Sequence, residues 1–226
     1  MKTLVVSPMP EEFDFFWQAC TKRGYSVESA TIGRLPVAWI PDLDLTLAPG
    51  GTGKVQFGVQ TQHLLDYRSD WNLVICAGAA GALADDLSIG DVVVATATVE
   101  HDFNNKFNES DLPRFDGDQT AISGLGRVSP PGAFKVHFGR VASGDEDVVE
   151  SERKRILHQA TGAVAVAWEG AGGGRACAFS GVPFVEIRGV TDTADRNAPS
   201  DFERNLKVAM NNVATLLISW ISVSKD

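Results

Sequence analysis

Trp71-Asn72-Leu73-Val74-Ile75-Cys76-Ala77, followed at once by Gly78-Ala79-Ala80-Gly81-Ala82, is the stretch on which the fold class turns. Apart from Asn72 its first part is apolar without alternation, the pattern of a strand covered on both faces. The side chains that follow are no larger than a methyl group, which predicts a tight turn out of the strand. Such a turn would let backbone approach a ligand, or let a helix pack closely on the strand, and both readings stay open.

Working outward, Leu4–Val6 and Leu43–Ala48 are strand-like. Pro10 stands where a first helical turn tolerates it, and Phe13, Phe16, Trp17 and Cys20 recur at helical spacing until Gly24. Gly50-Gly51-Thr52-Gly53-Lys54 turns into a helix whose expected buried face is Val55, Val59, His63 and Leu64. Beyond the central stretch, Asp91–Ala97, Phe134–Ala142, Ala163–Ala167 and Val182–Val190 read as strands, and Glu146–Gln159, Gly170–Phe179 and Phe202–Val223 as helices. The alternation predicts an α/β fold, a mixed sheet with helices on both faces, in a single domain over residues 1–226. The exception is a polar excursion from Val99 to Gly132 that carries Asn104, Asn105, Asn108, Asp111, Asp116 and Asp118, long enough to be functional or mobile.

Composition narrows the function. The 226 residues are 44% hydrophobic and 22% charged, with a formal net charge of −9, which repels nucleic-acid phosphates and anionic lipid. The expected partner is a small molecule, not nucleic acid or membrane. Cys20, Cys76 and Cys177 lack C-x-x-C spacing and read as reduced core thiols of a cytoplasmic protein. Only three strong apolar residues precede Ser7-Pro8, too few for a signal-peptide core.

The glycine-rich turn at 50–54 invites a phosphate-loop reading, but that motif needs Gly where Ala48 stands and Ser or Thr where Val55 stands. More telling are Glu12, Glu169 and Asp192, each just after or beside a predicted strand, where the edge of an α/β sheet gathers functional groups. Glu169 lies between Val164–Trp168 and Gly170-Ala171-Gly172-Gly173-Gly174, an apolar and tiny-residue setting in which an unpaired charge would be costly. His63, His137 and His158 show no metal spacing, and neither a metal nor another cofactor is expected.

Taken jointly, the landmarks resemble the nucleoside phosphorylase/nucleosidase family. They are Met9 to Glu12, Gly51-Thr52-Gly53-Lys54-Val55, Ala77-Gly78-Ala79-Ala80-Gly81-Ala82-Leu83, Ile89-Gly90-Asp91-Val92-Val93 and His101-Asp102. In the same order follow Ala142-Ser143-Gly144-Asp145, Trp168-Glu169-Gly170, Val182-Pro183-Phe184 and Arg188-Gly189-Val190-Thr191-Asp192-Thr193-Ala194-Asp195. Within that family the resemblance points to the 5′-methylthioadenosine/S-adenosylhomocysteine nucleosidase branch, which cleaves a purine–ribose bond with water. It implies a three-layer αβα sandwich with a mixed central β-sheet, and a homodimer.

The resemblance places the water-activating glutamate on Glu12, the glutamate for the ribose hydroxyls on Glu169, the purine-protonating aspartate on Asp192, and an arginine near ribose and water on Arg188. That division suits the chemistry. Adenine leaves poorly as an anion, so a carboxyl with a raised pKa must protonate it, and a carboxylate on the ribose stabilises the oxocarbenium-like sugar most in the transition state. Glu12, in the first turn of its helix, is expected to stay ionised because the helix dipole favours an anion.

Gly78 and Ala79 belong to the glycine turn near the water, with Ala79 where the family often has serine. Asp147 replaces an aromatic that stacks on adenine, Trp168 replaces a methionine, and Val148 matches the position whose backbone reads the purine edge. His101 is expected to shape the pocket for the 5′ substituent or to make a structural hydrogen bond. Val74-Ile75-Cys76 and Ser7-Pro8-Met9-Pro10 stand where the phosphorylase branch carries its phosphate-binding residues, so water is the expected nucleophile. Two alternatives accompany this reading. One is an enzyme for another 5′-modified purine nucleoside, futalosine-type or an adenosylated lipid, motivated by Trp168 and Asp147. The other is a nucleoside-binding protein without turnover.

Overall fold

The computed structural model describes residues 1–107 and 110–223, so Asn108 lies outside the described residues. Strand β1 (Thr3–Ser7) leads into helix α1 (Pro10–Lys22), then a hairpin of β2 (Glu28–Ile32) and β3 (Leu35–Ile40), and β4 (Leu45–Pro49). Helix α2 (Lys54–Tyr67) precedes the long β5 (Leu73–Ala82) and β6 (Val92–Glu100). The excursion contains a short β7 (Arg114–Asp116) and helix α3 (Gln119–Leu125). Then come β8 (Val136–Ser143), α4 (Ser151–Thr161), β9 (Ala163–Ala167), α5 (Gly170–Ser180), β10 (Phe184–Asp192) and α6 (Ala198–Val223).

The strands form one mixed sheet in the order β10-β6-β8-β9-β5-β1-β4-β3-β2, with β7 on β6. Strand β10 also pairs in parallel with β5, so that part of the sheet closes on itself. The doubly covered reading of the central strand is directly visible. Leu73, Ile75 and Ala77 pack with α1 and α6 residues such as Phe16, Cys20 and Met210, while Val74 and Cys76 pack with Phe57, Leu64 and Cys177 of α2 and α5. Helix α6 is long and apolar enough to cross a membrane, at a mean hydropathy of 1.4, but 61% of that window is buried against this core.

Several expectations need correction. Gly78–Ala82 is no turn: it continues β5, paired with β10 from Arg188↔Gly78 to Asp192↔Gly81. Small side chains serve there because other groups crowd onto the strand. The buried face of α2 is Phe57, Thr61, Leu64 and Leu65, whereas Val55 and Val59 are 77% and 65% exposed. Helix α4 begins at Ser151, leaving residues 144–150 as a loop. The hairpin of β2 and β3 escaped the pattern because β2 is an exposed edge strand. The excursion packs on the molecule through β7 on β6 and α3 on α6.

Candidate active site

A cavity of about 720 Å³ opens where the start of α1, the end of β5, the 144–150 loop, the start of α5, the end of β10 and the start of α6 converge. Glu12, Ala79, Asp147, Val148, Trp168, Glu169, Arg188 and Asp192 all line it. Its size suits a small ligand. Of the residues singled out in the sequence for this site, Gly78 and His101 are not on its wall.

Glu12 sits at the third position of α1, where its Oε2 accepts a hydrogen bond from the Met9 amide at 2.8 Å and closes the helix start. Its Oε1 accepts from the Ala79 amide of β5 at 2.7 Å, which ties the helix to the central strand. Despite these donors and the helix dipole, the carboxyl is pushed up to about 7, because burial penalises the anion and Glu169 repels it. The expectation of a fully ionised Glu12 is therefore corrected: at neutral pH it is poised between its two forms, where a general base works best.

Glu169 precedes α5 and is 5% exposed. Its Oε1 accepts from the Gly53 amide at 3.2 Å and its Oε2 from Arg188 Nη2 at 3.2 Å. This explains the glycine-rich turn. Gly51 and Gly53 adopt φ of +77° and +84°, a region that side chains disfavour, and the turn aims the Gly53 amide at Glu169 and the Lys54 amide at Asp145. Amides that a phosphate loop would offer to a ligand are occupied by carboxylates of the chain.

Asp192 closes β10 just past a register shift. Its Oδ2 accepts from Thr191 Oγ1 at 2.8 Å and its Oδ1 from the Ala194 amide at 2.9 Å, with Ala194 held at φ +51°. Burial raises its carboxyl above the ordinary range although both donors pull the other way. A Cβ on Gly81 would stand 2.8 Å from Asp192 Oδ1, so that glycine makes room for the acid.

Arg188, 1% exposed, joins these parts. It donates through Nε to Glu186 at 2.7 Å, through Nη1 to the Ala79 carbonyl at 3.2 Å, and through Nη2 to Glu169 and to Cys76 Sγ at 3.3 Å. Gly78 lies behind the wall, where a Cβ would come within 2.6 Å of Arg188 Nη1 and 2.8 Å of Glu12 Oε1. Its role is to let these two groups meet.

Trp168 is fixed from behind, since Ser143 Oγ donates to its carbonyl at 2.6 Å and accepts from the Ala171 amide at 2.9 Å. Seven carboxylates line the cavity, those of Glu11, Glu12, Glu146, Asp147, Glu169, Asp192 and Glu203, against the single basic residue Arg188. Sequence reasoning missed Glu186, and with it the apolar wall of Phe15, Phe202 and Leu206. A signal for Glu186 existed: a charge amid apolar strand residues, two positions before Arg188 and so on the same face.

The His101 ring makes no structural hydrogen bond among the described residues, and it reaches the pocket only through Glu146, whose Oε2 lies 3.9 Å from its Nδ1. It does not itself line the cavity, and it fills the space against Gly144. His63, His137 and His158 each have a structural partner, in the Arg34 amide, Asp91 and the Ala163 carbonyl. Among the described residues no group of three or more His, Cys, Asp or Glu is arranged to hold a metal ion.

A family model described as the phosphorylase superfamily matches residues 2–222. A 5′-methylthioadenosine/S-adenosylhomocysteine nucleosidase of an Exiguobacterium species is 29% identical over 230 residues, covering 97% of this chain and 97% of that protein. The solved structure of a nucleosidase of the same description from Neisseria meningitidis, in complex with methylthio-immucillin-A, superposes with a TM-score of 0.85 at 30% identity, covering 99% of this chain and 100% of the other. Futalosine hydrolase of Helicobacter pylori superposes with a TM-score of 0.86 at 25% identity, covering 99% of this chain and 98% of the other.

Proposed function

The chain belongs to the phosphorylase superfamily, and from that premise we propose that it hydrolyses the N-glycosidic bond of adenosine-derived nucleosides of the 5′-methylthioadenosine/S-adenosylhomocysteine type, releasing the purine. One observation carries the reading: Glu12, Glu169 and Asp192, far apart in sequence, share one cavity with Arg188. Burial raises the Asp192 carboxyl above its ordinary value, the direction that suits the group that protonates the departing purine ring. Glu169, gripped by Arg188 and the Gly53 amide, is suited to hold the ribose hydroxyls, where its charge counts most as the sugar becomes cationic. Glu12 takes the proton of the attacking water.

Water is favoured over phosphate by the charge of the wall. Its one arginine is already bound to two carboxylates, so a phosphate dianion would meet an acid-rich wall with no further lining cation to hold it. Incubation with 5′-methylthioadenosine and S-adenosylhomocysteine while following free adenine tests the reading. Release is expected at equal rates with and without phosphate; strict phosphate dependence would overturn hydrolysis. Tight nucleoside binding without release under either condition would make the chain a binding protein.

A second substrate reading rests on Trp168 and Asp147, which present a broad ring and an acid to the cavity. It assigns the enzyme to a bulkier 5′-modified nucleoside, futalosine-type or an adenosylated lipid, and a panel in which only such nucleosides turn over would select it. We further propose a cytoplasmic homodimer acting as one unit over residues 1–226. Buried free thiols at Cys20, Cys76 and Cys177 support the reducing compartment. The apolar face of α2 and α5, with Val55, Val59 and Phe179 largely exposed, supports the dimer.

A further inference from the structure

Glu186 is fully buried, carries an ionisable side chain in the middle of a strand, and does not itself line the cavity. Its surroundings are built for it. Oε1 accepts from Arg188 Nε at 2.7 Å, Oε2 accepts from the hydroxyl of Thr98 on β6, and the carboxylate leaves no room for a Cβ at Gly170, the first residue of α5. Strand alternation puts Glu186 and Arg188 on one face, next to their β5 partners Cys76 and Gly78. The guanidinium is thereby held at three corners: by Glu186 at Nε, by the Ala79 carbonyl at Nη1, and by Glu169 at Nη2. A single pairing with Glu169 would leave it free to swing into the cavity.

We propose that Glu186 is a positioning residue of the hydrolytic site, fixing Arg188 in the orientation in which it grips Glu169. The inference rests on the nucleoside-hydrolase reading for its kinetic consequence alone. It has an electrostatic one as well. Arg188 is shared between the Glu186 and Glu169 side chains, and this sharing weakens the pull by which it lowers Glu12. The other ionisable groups around Glu12 are Glu11 on its own helix, Cys76 on β5, Glu169 before α5, Asp192 on β10 and Glu203 on α6.

Two variants separate geometry from charge. Glu186→Asp keeps the charge and shortens the reach: kcat is expected to fall about tenfold or more, with KM little changed and the acidic limb of the pH–rate profile unmoved. Glu186→Gln keeps the shape and removes the charge, and should shift that limb down by about one pH unit. Carboxyl 13C resonances of the ligand-free protein, with that of Glu12 assigned by its loss in Glu12→Gln, read the same shift without turnover. A wild-type protein that releases no base would overturn the functional reading and leave this titration intact. Wild-type kinetics in Glu186→Asp together with an unmoved Glu12 midpoint in Glu186→Gln would overturn the proposal. So would losses of activity that only track the unfolded fraction. Should Glu186→Gln fail to fold, the kcat of Glu186→Asp alone decides.

Discussion

Glu12 is stabilised by two amides and destabilised by its burial, and the second effect wins: its carboxyl moves from the ordinary 4.5 to about 7. The sign matters for stability. A carboxyl that binds its proton more tightly in the folded state favours folding most below 4.5, and loses that contribution as pH rises through 7. The loss is on the order of 3 kcal/mol, from which an uncharged side chain is spared. Glu12→Gln leaves the Met9 amide without an acceptor, at about 1 kcal/mol. The variant should therefore be about 2 kcal/mol more stable than wild type at pH 8 and no more stable at pH 4, as read by denaturant unfolding. Its turnover should fall by roughly 10²–10⁴, and a variant no more stable at pH 8 would disprove the balance. Which carboxylates would meet was legible in the sequence, because Glu12, Glu169 and Asp192 each lie just after or beside a strand and fall on motifs that resemble one family. The protonation of Glu12 was not, since it depends on Glu169 and Arg188 arriving from distant segments. Helix position alone gave the wrong sign.

At the scale of elements, the sequence conveyed strand type better than strand length. Leu73–Ala77 was readable as doubly covered because no polar residue interrupts it, but the small residues after it mimic a turn. Only the partner strand explains them: β10 brings Arg188 and Asp192 alongside Gly78 and Gly81, where any larger side chain would displace a functional group. Helix α2 misled in the opposite way, because Val55 and Val59 have helical spacing yet face outward while Phe57 and Leu64 face the sheet. Gly78→Ala tests the crowding. Its Cβ would force Arg188 and Glu12 apart, and kcat/KM should drop about a hundredfold while the β5–β10 ladder survives. Gly24→Ala is the control: φ there is +84° with open space around it, so the variant should lose about 1 kcal/mol of stability and keep wild-type kcat/KM. Unchanged kinetics in Gly78→Ala would show that the glycine is not needed for the meeting of these two groups.

For the whole molecule, the homodimer proposed above has a face to use, the outward side of α2 and α5. Phe179 is 84% exposed, Val55 77% and Val59 65%, on neighbouring helices that also border the Glu169 turn. Single exposed apolar residues are ordinary on a surface, but these three line one groove with Lys54, Gln62, His63 and Arg175, and exposed apolar groups rimmed by polar ones suit an interface. A second copy meeting this face would bury the N-terminal end of α2, and so brace the Gly53 turn whose amide holds Glu169. In the proposed dimer, assembly and catalysis would be coupled through that one turn. Phe179→Glu places a charge in that groove and should weaken association by about 2 kcal/mol or more, roughly thirtyfold in the dimer dissociation constant. Sedimentation velocity across a concentration series measures this directly. Because Phe179 does not line the catalytic cavity, kcat/KM assayed at high protein concentration, where the dimer re-forms, should return toward the wild-type value, while dilution should lower it. A variant that sediments as wild type, or a monomer whose activity is unaffected by dilution, would separate the assembly from the site.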